Sequence, residues 1–305
     1  MVNLKIKLPE GFLDEEERCG YIVSSKMKEV WAVELDLLSE FQRVAIKHNI
    51  KYIANGGTML GAVRHGGFIP WDDDVDIMML REEYDKLIKI AQSEFRYPYF
   101  FQTEYSDPGS LRCHAQLRNS QTTAILKDEQ LGKMKFNQGI FIDIFPLDAV
   151  PDSLNDWEKE CNIAQTIYER MLLFASVSSH FIDDKTLPHY RIKKVLNIVA
   201  SPVFSHLAHY YYKKYERECR RFNFDRTEKL SLYCWGYKYK KLHRSRVDHE
   251  ETVMKDFEFM QVPVCKNYDH ALTEVFGDWH KFVIGNSVHR GIFFDTEHSY
   301  KDFLK

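Results

Sequence analysis

The sequence predicts an α+β fold: a mixed sheet with flanking helices, followed by a mostly helical C-terminal half. Three observations predict it. Short runs of alternating apolar and polar residues, near 50–54, 74–80 and 139–147, are interleaved with helical periodicity in the first 150 residues. After Pro151 the period becomes helical over about 155–177 and 189–200. The 305 residues, 44% of them hydrophobic, suffice for one large domain or two packed ones. The expected division is a core with an N-terminal helix over residues 1–150 and a mostly helical region over 151–305 packed on it.

Taken in order, residues 24–48 read as an amphipathic helix, with Met27, Val30, Trp31, Leu37, Leu38, Phe41, Val44 and Ala45 at helical spacing and Asn49 suited to the position past its end. Ile50 to Ala54 alternates like a strand and runs into Gly56-Gly57-Thr58, a turn that can open the short helix Met59 to Arg64. Gly66-Gly67 and Pro70 mark a loop. From Asp74 to Leu80, Val75, Ile77 and Met79 share one face while Asp74, Asp76 and Met78 share the other. A helix over 82–94, a β-rich stretch over 97–126 and a strand over 139–147 follow, and the sheet is expected within residues 50–150. In that last strand Asp143 faces away from Ile140, Ile142 and Ile144. Ser201-Pro202 reads as a helix start, with serine capping and proline in the first turn. The stretch 230–239 reads as extended, and 268–276 as a short helix stopped by Gly277.

Composition narrows the function classes. With 42 Lys+Arg against 45 Asp+Glu the net charge is −3, and the mean hydropathy is −0.43. This excludes a disordered tail and a wholly basic nucleic-acid binder, and no nucleic-acid partner is expected. No stretch approaches the ~20 apolar residues of a transmembrane helix, and the N-terminus lacks the apolar core of a signal peptide. The six cysteines are scattered without a CxxC. A cytoplasmic protein with reduced thiols and no structural zinc is the expectation. The charge is unevenly spread. Tyr210 to Arg246 holds twelve Lys/Arg against four acids, an excess of +8 that leaves −11 for the rest. Asp72 to Asp85 holds seven carboxylates against Arg81 alone, a crowding that is costly unless a cation offsets it.

The chemistry concentrates in IANGGTMLGAVRHGGFIPWDDDVDIMML, residues 53–80. Asp74 and Asp76, two apart on an expected strand, project together and can share a divalent cation, magnesium by their hard oxygens, with manganese as a substitute. Gly56, Gly57 and Thr58 open a helix whose free N–H groups can hold a phosphate. Arg64 follows that helix as a candidate phosphate contact, and Asp143 supplies a third carboxylate from another strand. An EF-hand is rejected, because the sixth loop position is Ile77 where glycine is required. The set describes metal-assisted phosphoryl transfer, with Asp74, Asp76 and Asp143 as catalytic and metal-binding residues. The rival reading is a glycosyltransferase whose D-x-D motif binds a sugar nucleotide through manganese. The upstream Gly-Gly-Thr and the separate Asp143 strand argue against it. Trp71, Trp235, Tyr237 and Tyr239 are candidate walls of an aromatic cage for a quaternary ammonium. Tyr233 to Arg246, with five Lys/Arg and no acid, is a candidate surface for an anionic acceptor through Lys240, Lys241 and Arg244.

The block GGTMLGAVRHGGFIPWDDDVDI closely resembles the LicD family, bacterial phosphocholine transferases related to fukutin and fukutin-related protein. The likeness runs almost unbroken over 52–85 and extends more loosely to GIFIDIFPLD (139–148) and ALTEVFGDW (271–279). It implies the nucleotidyltransferase fold of the DNA polymerase β type, with Gly56 and Gly57 at the helix start, the Asp74/Asp76 pair and Asp143, and Thr58 close to the usual serine. It also implies CDP-choline as donor, CMP as product and a sugar hydroxyl of a surface glycan (teichoic acid, lipopolysaccharide or capsular polysaccharide) as acceptor. The fukutin relatives use CDP-ribitol, so the alcohol stays open between choline and ribitol. A lipid-linked acceptor would bring peripheral contact with the inner face of the membrane, and residues 151–305 would lie on the acceptor side.

Overall fold

The protein is described by a computed structural model that covers residues 1–126, 134–179, 189–223, 226–236, 243–285 and 291–303. A hairpin of β1 (Glu16–Arg18) and β2 (Tyr21–Val23) leads to Ser24, whose hydroxyl oxygen accepts from the Met27 N–H and caps α1 (Ser25–Lys47). The apolar stripe of α1, from Val30 and Trp31 to Phe41 and Val44, is buried, and Asn49 takes the left-handed turn just past its end at φ 50°. Next come β3 (Ile53–Ala54), α2 (Gly56–Arg64), β4 (Asp76–Leu80), α3 (Arg81–Glu94), β5 (Tyr99–Gln102), β6 (Ala115–Asn119), β7 (Thr123–Ile125) and β8 (Ile140–Val150). The second half contains α4 (Leu154–Ser179), α5 (Tyr190–Cys219), β9 (Lys229–Ser231), α6 (Tyr233–Gly236), β10 (Arg244–Ser245), β11 (Thr252–Phe257), β12 (Met260–Cys265), α7 (Tyr268–Phe276) and β13 (Phe293–Asp295).

The fold is α+β, and β8 is its axis. Along one edge β8 pairs in parallel with β4, from Asp76 opposite Asp143 to Leu80 opposite Leu147. Along the other edge its first half pairs antiparallel with β6, and its last three residues with β9. All eleven residues of β8 are buried, as a strand covered on both faces should be. β3 continues the sheet beyond β4, β10 beyond β9 and β5 beyond β6. One large apolar cluster gathers α1, the sheet and α3, while Trp157, Cys161, Tyr215 and Tyr233 join a smaller one under α4 and α5.

Several expectations are corrected. The sheet does not end at residue 150, because β9 and β10 extend it. The C-terminal half is less purely helical than its periodicity suggests, since β11 and β12 form a hairpin and β13 pairs with β7. Ser201-Pro202 does not start a helix. Pro202 lies inside the continuous α5, which packs on α4 through Phe204 and Tyr211 against Phe174. A proline removes one backbone hydrogen bond, but packing on α4 just beyond it offsets that loss and the helix runs on. The extended segment expected over 230–239 ends at Ser231 and turns into α6; Tyr237 and Tyr239 lie outside the described residues. Among the described residues no helix is long and apolar enough to cross a membrane.

The junction of β4 and α3 is pinned from β8. Arg81 Nε and its NH2 nitrogen donate to the two carboxylate oxygens of fully buried Asp148 at 2.6 and 2.7 Å, and Asn223 adds a third donor at 2.7 Å. Removing one partner of such a pair leaves a buried charge uncompensated. Asp148→Ala should therefore destabilise the fold by about 3–5 kcal/mol, read as a lower urea midpoint; a midpoint within error of the parent would contradict this.

Candidate active site

The site is built at the start of α2. Gly56 sits at φ +51°, where a side chain is strained, and a Cβ on it would lie 3.4 Å from Asp76 Oδ2. At Gly57 a Cβ would come within 2.3 Å of Asp72 Oδ2, so only glycine lets that carboxylate close on the helix. The N-cap, Asn55, makes no side-chain capping bond to the helix, leaving the first-turn N–H groups uncapped by it. Thr58 is buried, and its hydroxyl oxygen accepts from the Asp76 N–H at 2.8 Å. The Asn55 N–H donates to the Asp76 carbonyl, and the Asp143 N–H to the Val75 carbonyl, both at 2.9 Å. The helix start and both acidic strands are thus locked together.

Sequence spacing puts Asp74 on a strand with Asp76. The strand begins only at Asp76, and Asp74 lies in the loop before it. The two still meet, because both line one cleft. The tightest carboxylate grouping is Asp72, Asp73 and Asp74, with one oxygen of each within 4.8 Å of the others. Asp76 and Asp143 stand beside this group through the β4–β8 register. Burial, and then the charges of Asp74, Asp143 and Asp72, push the Asp76 carboxyl well above the usual range.

Glu34 of α1 joins them unannounced by any motif. It is 1% exposed, its Oε2 has no hydrogen-bond partner among the described residues, and burial with Asp74, Asp73, Asp72 and Asp76 raises its pKa strongly. An orphaned carboxylate oxygen behind crowded aspartates, all hard oxygen donors, suits a divalent cation of the magnesium type. A second grouping of possible ligands, Asp248, His270 and Glu274, lies at the N-terminal turns of α7.

Asp143 is held from β6. Its Oδ1 accepts from Gln116 Nε2 at 2.6 Å and pairs with His114 Nε2 at 3.0 Å. Arg118 fixes Gln116 by donating to its amide oxygen. The other ring nitrogen of His114, Nδ1, is buried and has no hydrogen-bond partner among the described residues. Neither His114 nor Gln116 was singled out in the sequence. The polar–apolar alternation of His114-Ala115-Gln116-Leu117-Arg118, set against Asp143, is the signal that finds them.

A cleft of about 330 Å³ lies over Asp72, Asp74 and Asp76. These line it with Gly57, Arg64 and Trp71, and the C-terminal region contributes Phe276, Asp278, Trp279, Lys281 and Val283. Arg64 joins the two parts by donating to the Trp279 carbonyl at 3.2 Å and lying over Phe282. Trp71 contacts Phe282 and Tyr21, whereas Trp235 sits against Phe145. Lys281 was missed, since it lies just past the ALTEVFGDW block with no pattern of its own. Arg244 is corrected from an acceptor surface to the interior. It is 4% exposed, donates to Asn55 Oδ1 at 3.2 Å, and burial lowers its pKa to about 10. Lys240 and Lys241 lie outside the described residues.

A glycine-started helix facing acids on a loop and two parallel strands makes this an α+β domain with a phosphate-sized acidic cleft. Residues 49–154 match the family described as LicD/FKTN/FKRP, nucleotidyltransferase domain. The chain is 26% identical over 261 residues to the lipopolysaccharide cholinephosphotransferase LicD of Haemophilus influenzae, covering 84% of this chain and 91% of the relative. An uncharacterized protein of Rickettsia prowazekii is 38% identical over 95 residues, 31% of this chain and 32% of its own length. One from Rickettsia typhi is 49% identical over 47 residues, 15% of each. Residues 49–154 therefore carry a region similar to the LicD/FKTN/FKRP nucleotidyltransferase domain, and the likeness to the Haemophilus protein extends beyond it over 84% of the chain.

The raised pKa values of Asp76 and Glu34 give a pH signature. A carboxyl whose folded value is raised favours the fold below its unfolded value, and that contribution is lost as pH rises through the folded value. Without a divalent cation, thermal stability should therefore fall between about pH 5 and about pH 8, and magnesium should restore more of it at the higher pH. Melting curves at both pH values check this; a magnesium increment that does not grow with pH contradicts it.

Proposed function

We propose that this protein transfers phosphocholine, or a similar phospho-alcohol, from a CDP-activated donor to a sugar hydroxyl of a cell-surface glycan and releases CMP. The observation that carries the proposal is the carboxylate cluster of Asp72, Asp73, Asp74, Asp76 and Asp143 against the open start of α2. Support comes from the named activity of the Haemophilus relative, whose matched region covers 91% of its length.

Asp74 and Asp76, with Asp143 or the neighbouring aspartates, would hold magnesium or manganese. When bound, such a cation neutralises the charge of the donor diphosphate. The first-turn N–H groups of α2 at Gly56, Gly57 and Thr58 bear on the same phosphates, as do Arg64 and Lys281 from the cleft walls. Trp71 and Trp279 offer aromatic faces for a quaternary ammonium. The acceptor oxygen attacks the distal phosphorus, the bond from that phosphorus to the bridging oxygen breaks, and CMP leaves with the bridging oxygen. The hydroxyl proton passes to Asp143, which His114 and Gln116 hold in place. In this reading residues 1–150 carry the transfer chemistry. Residues 151–305 complete the cleft lining and supply the acceptor side, and the reaction runs in the cytoplasm at the inner face of the membrane.

CMP release should be followed with CDP-choline, CDP-ribitol, UDP-sugars and GDP-sugars, with and without magnesium. Magnesium-dependent release from a CDP-alcohol is the expected result, and release from sugar nucleotides alone contradicts the proposal. Asp74→Asn and Asp143→Ala should each lower turnover by about a hundredfold or more while circular dichroism stays unchanged. Turnover close to the parent in either variant overturns their assignment.

A further inference from the structure

A second, larger concave surface lies away from the acidic cleft. It holds about 830 Å³ and includes Leu80, Leu147 and Ala149, at and beyond the ends of the β4–β8 pairing. Asp76 and Asp143 precede Leu80 and Leu147 by four residues on those strands, about 13 Å at ~3.3 Å per residue. Six arginines line it against three acids, Glu82, Asp85 and Glu218. Arg81 is taken by buried Asp148. Arg220 reaches Asp85 and Glu216, and Arg221 reaches Glu160 and Glu218. Arg246 is anchored through Nε on the Thr227 carbonyl, which leaves its two terminal nitrogens for a ligand. Arg217 and Arg226 are exposed and have no ion-pair partner among the described residues. A further cleft of about 550 Å³ contains the same Arg226 and Arg246, together with Lys229 and the acids Glu228 and Glu250, so the two adjoin as one elongated groove.

The groove's chemistry selects among anions. Arginine forks pair in bidentate fashion with phosphate or carboxylate. Neither cleft is lined by an aromatic ring, so the stacking platform that single-stranded nucleic acid needs is missing. A bilayer presents a plane of headgroups and does not follow a concave groove, whereas an extended oligosaccharide does. We infer that this groove anchors the acceptor away from the reacting groups, as an oligosaccharide bearing phosphate groups whose anionic units lie on Arg217, Arg226 and Arg246. The inference rests on the proposed transfer to a glycan. It also relocates the acceptor surface: the +8 segment acts through its arginines on α5 and around β9, not through Arg244.

The test is direct binding, which needs no turnover. Isothermal titration would compare a phosphorylated core oligosaccharide prepared from lipopolysaccharide with the same oligosaccharide after enzymatic removal of its phosphomonoesters. The parent and the double variant Arg217→Ala/Arg226→Ala would both be titrated. The parent should bind the phosphorylated form about tenfold more tightly than the dephosphorylated one, and the double variant should lose about that tenfold preference. Equal affinity for the two forms, or an unchanged preference in the variant, overturns the groove. Loss of binding to vesicles of phosphatidylglycerol and phosphatidylethanolamine, with oligosaccharide affinity unchanged, overturns it in favour of a membrane surface. If no CDP-alcohol releases CMP while this preference holds, the transfer reading fails and the binding site stands. If CMP is released while the preference is absent, the groove alone fails.

Discussion

Crowded negative charge is the constraint on which this architecture rests. Asp72, Asp73 and Asp74 bring one oxygen each within 4.8 Å, with Asp76 and buried Glu34 coupled to the same charges. Two like charges ~4 Å apart repel by about 4 kcal/mol at the effective dielectric of a protein surface, and by more where water is excluded. A flexible loop would relieve that by spreading, so rigid neighbours are needed to prevent it. Trp31 Nε1 donates to the Asp72 carbonyl at 3.0 Å, Gly57 yields the room Asp72 occupies, and Thr58 ties the start of β4 to α2. The parallel register of β4 and β8 then fixes Asp143 opposite Asp76. Held in this way, the proposed ligands would not need to gather for a cation and a diphosphate.

Among the described residues, positive charge gathers mainly in a second place. Arg64 and Lys281 are the cations that line the acidic cleft, while the arginines of α5 and the β9–β10 region gather in the second groove. Cations pressed against the aspartates would neutralise them in the resting fold and compete with a metal ion. Set further along the strands, Arg217, Arg226 and Arg246 can engage a different anion. An overall charge of −3 is therefore the sum of two opposed surfaces with separate roles in the proposed reaction.

How far the sequence was legible followed the range of the interaction. Gly56-Gly57-Thr58 and the helices α1 to α3 were readable because turn chemistry and periodicity are local, whereas Asp74 reaches the cleft beside Asp76 from a loop and not from the strand its spacing suggests. Asp143 was readable because its strand alternates cleanly with isoleucines. Glu34 was not, since on an amphipathic helix a glutamate reads as solvent-facing, and only the folding of the Asp72–Asp76 loop over α1 buries it. Arg244 was misplaced for a related reason. Its basic neighbours suggest a surface, while the short pairing of β10 with β9 puts it against Asn55 and Met78 inside the protein. Lys281 and Trp279 come to the cleft across more than two hundred residues from Gly57, a closure that no window of sequence contains. Pro202 reads as a boundary because a proline at a helix start and one inside a packed helix share the same local signature.

The central claim, that these carboxylates form a cation site facing the donor phosphates, is most directly tested by anomalous diffraction from crystals soaked with manganese and CMP. The account predicts an anomalous peak bounded by the carboxylates of Asp74 and Asp76, with the CMP phosphate reaching it from the start of α2. Manganese found at Asp248, His270 and Glu274 and absent from the Asp72–Asp76 loop would contradict it.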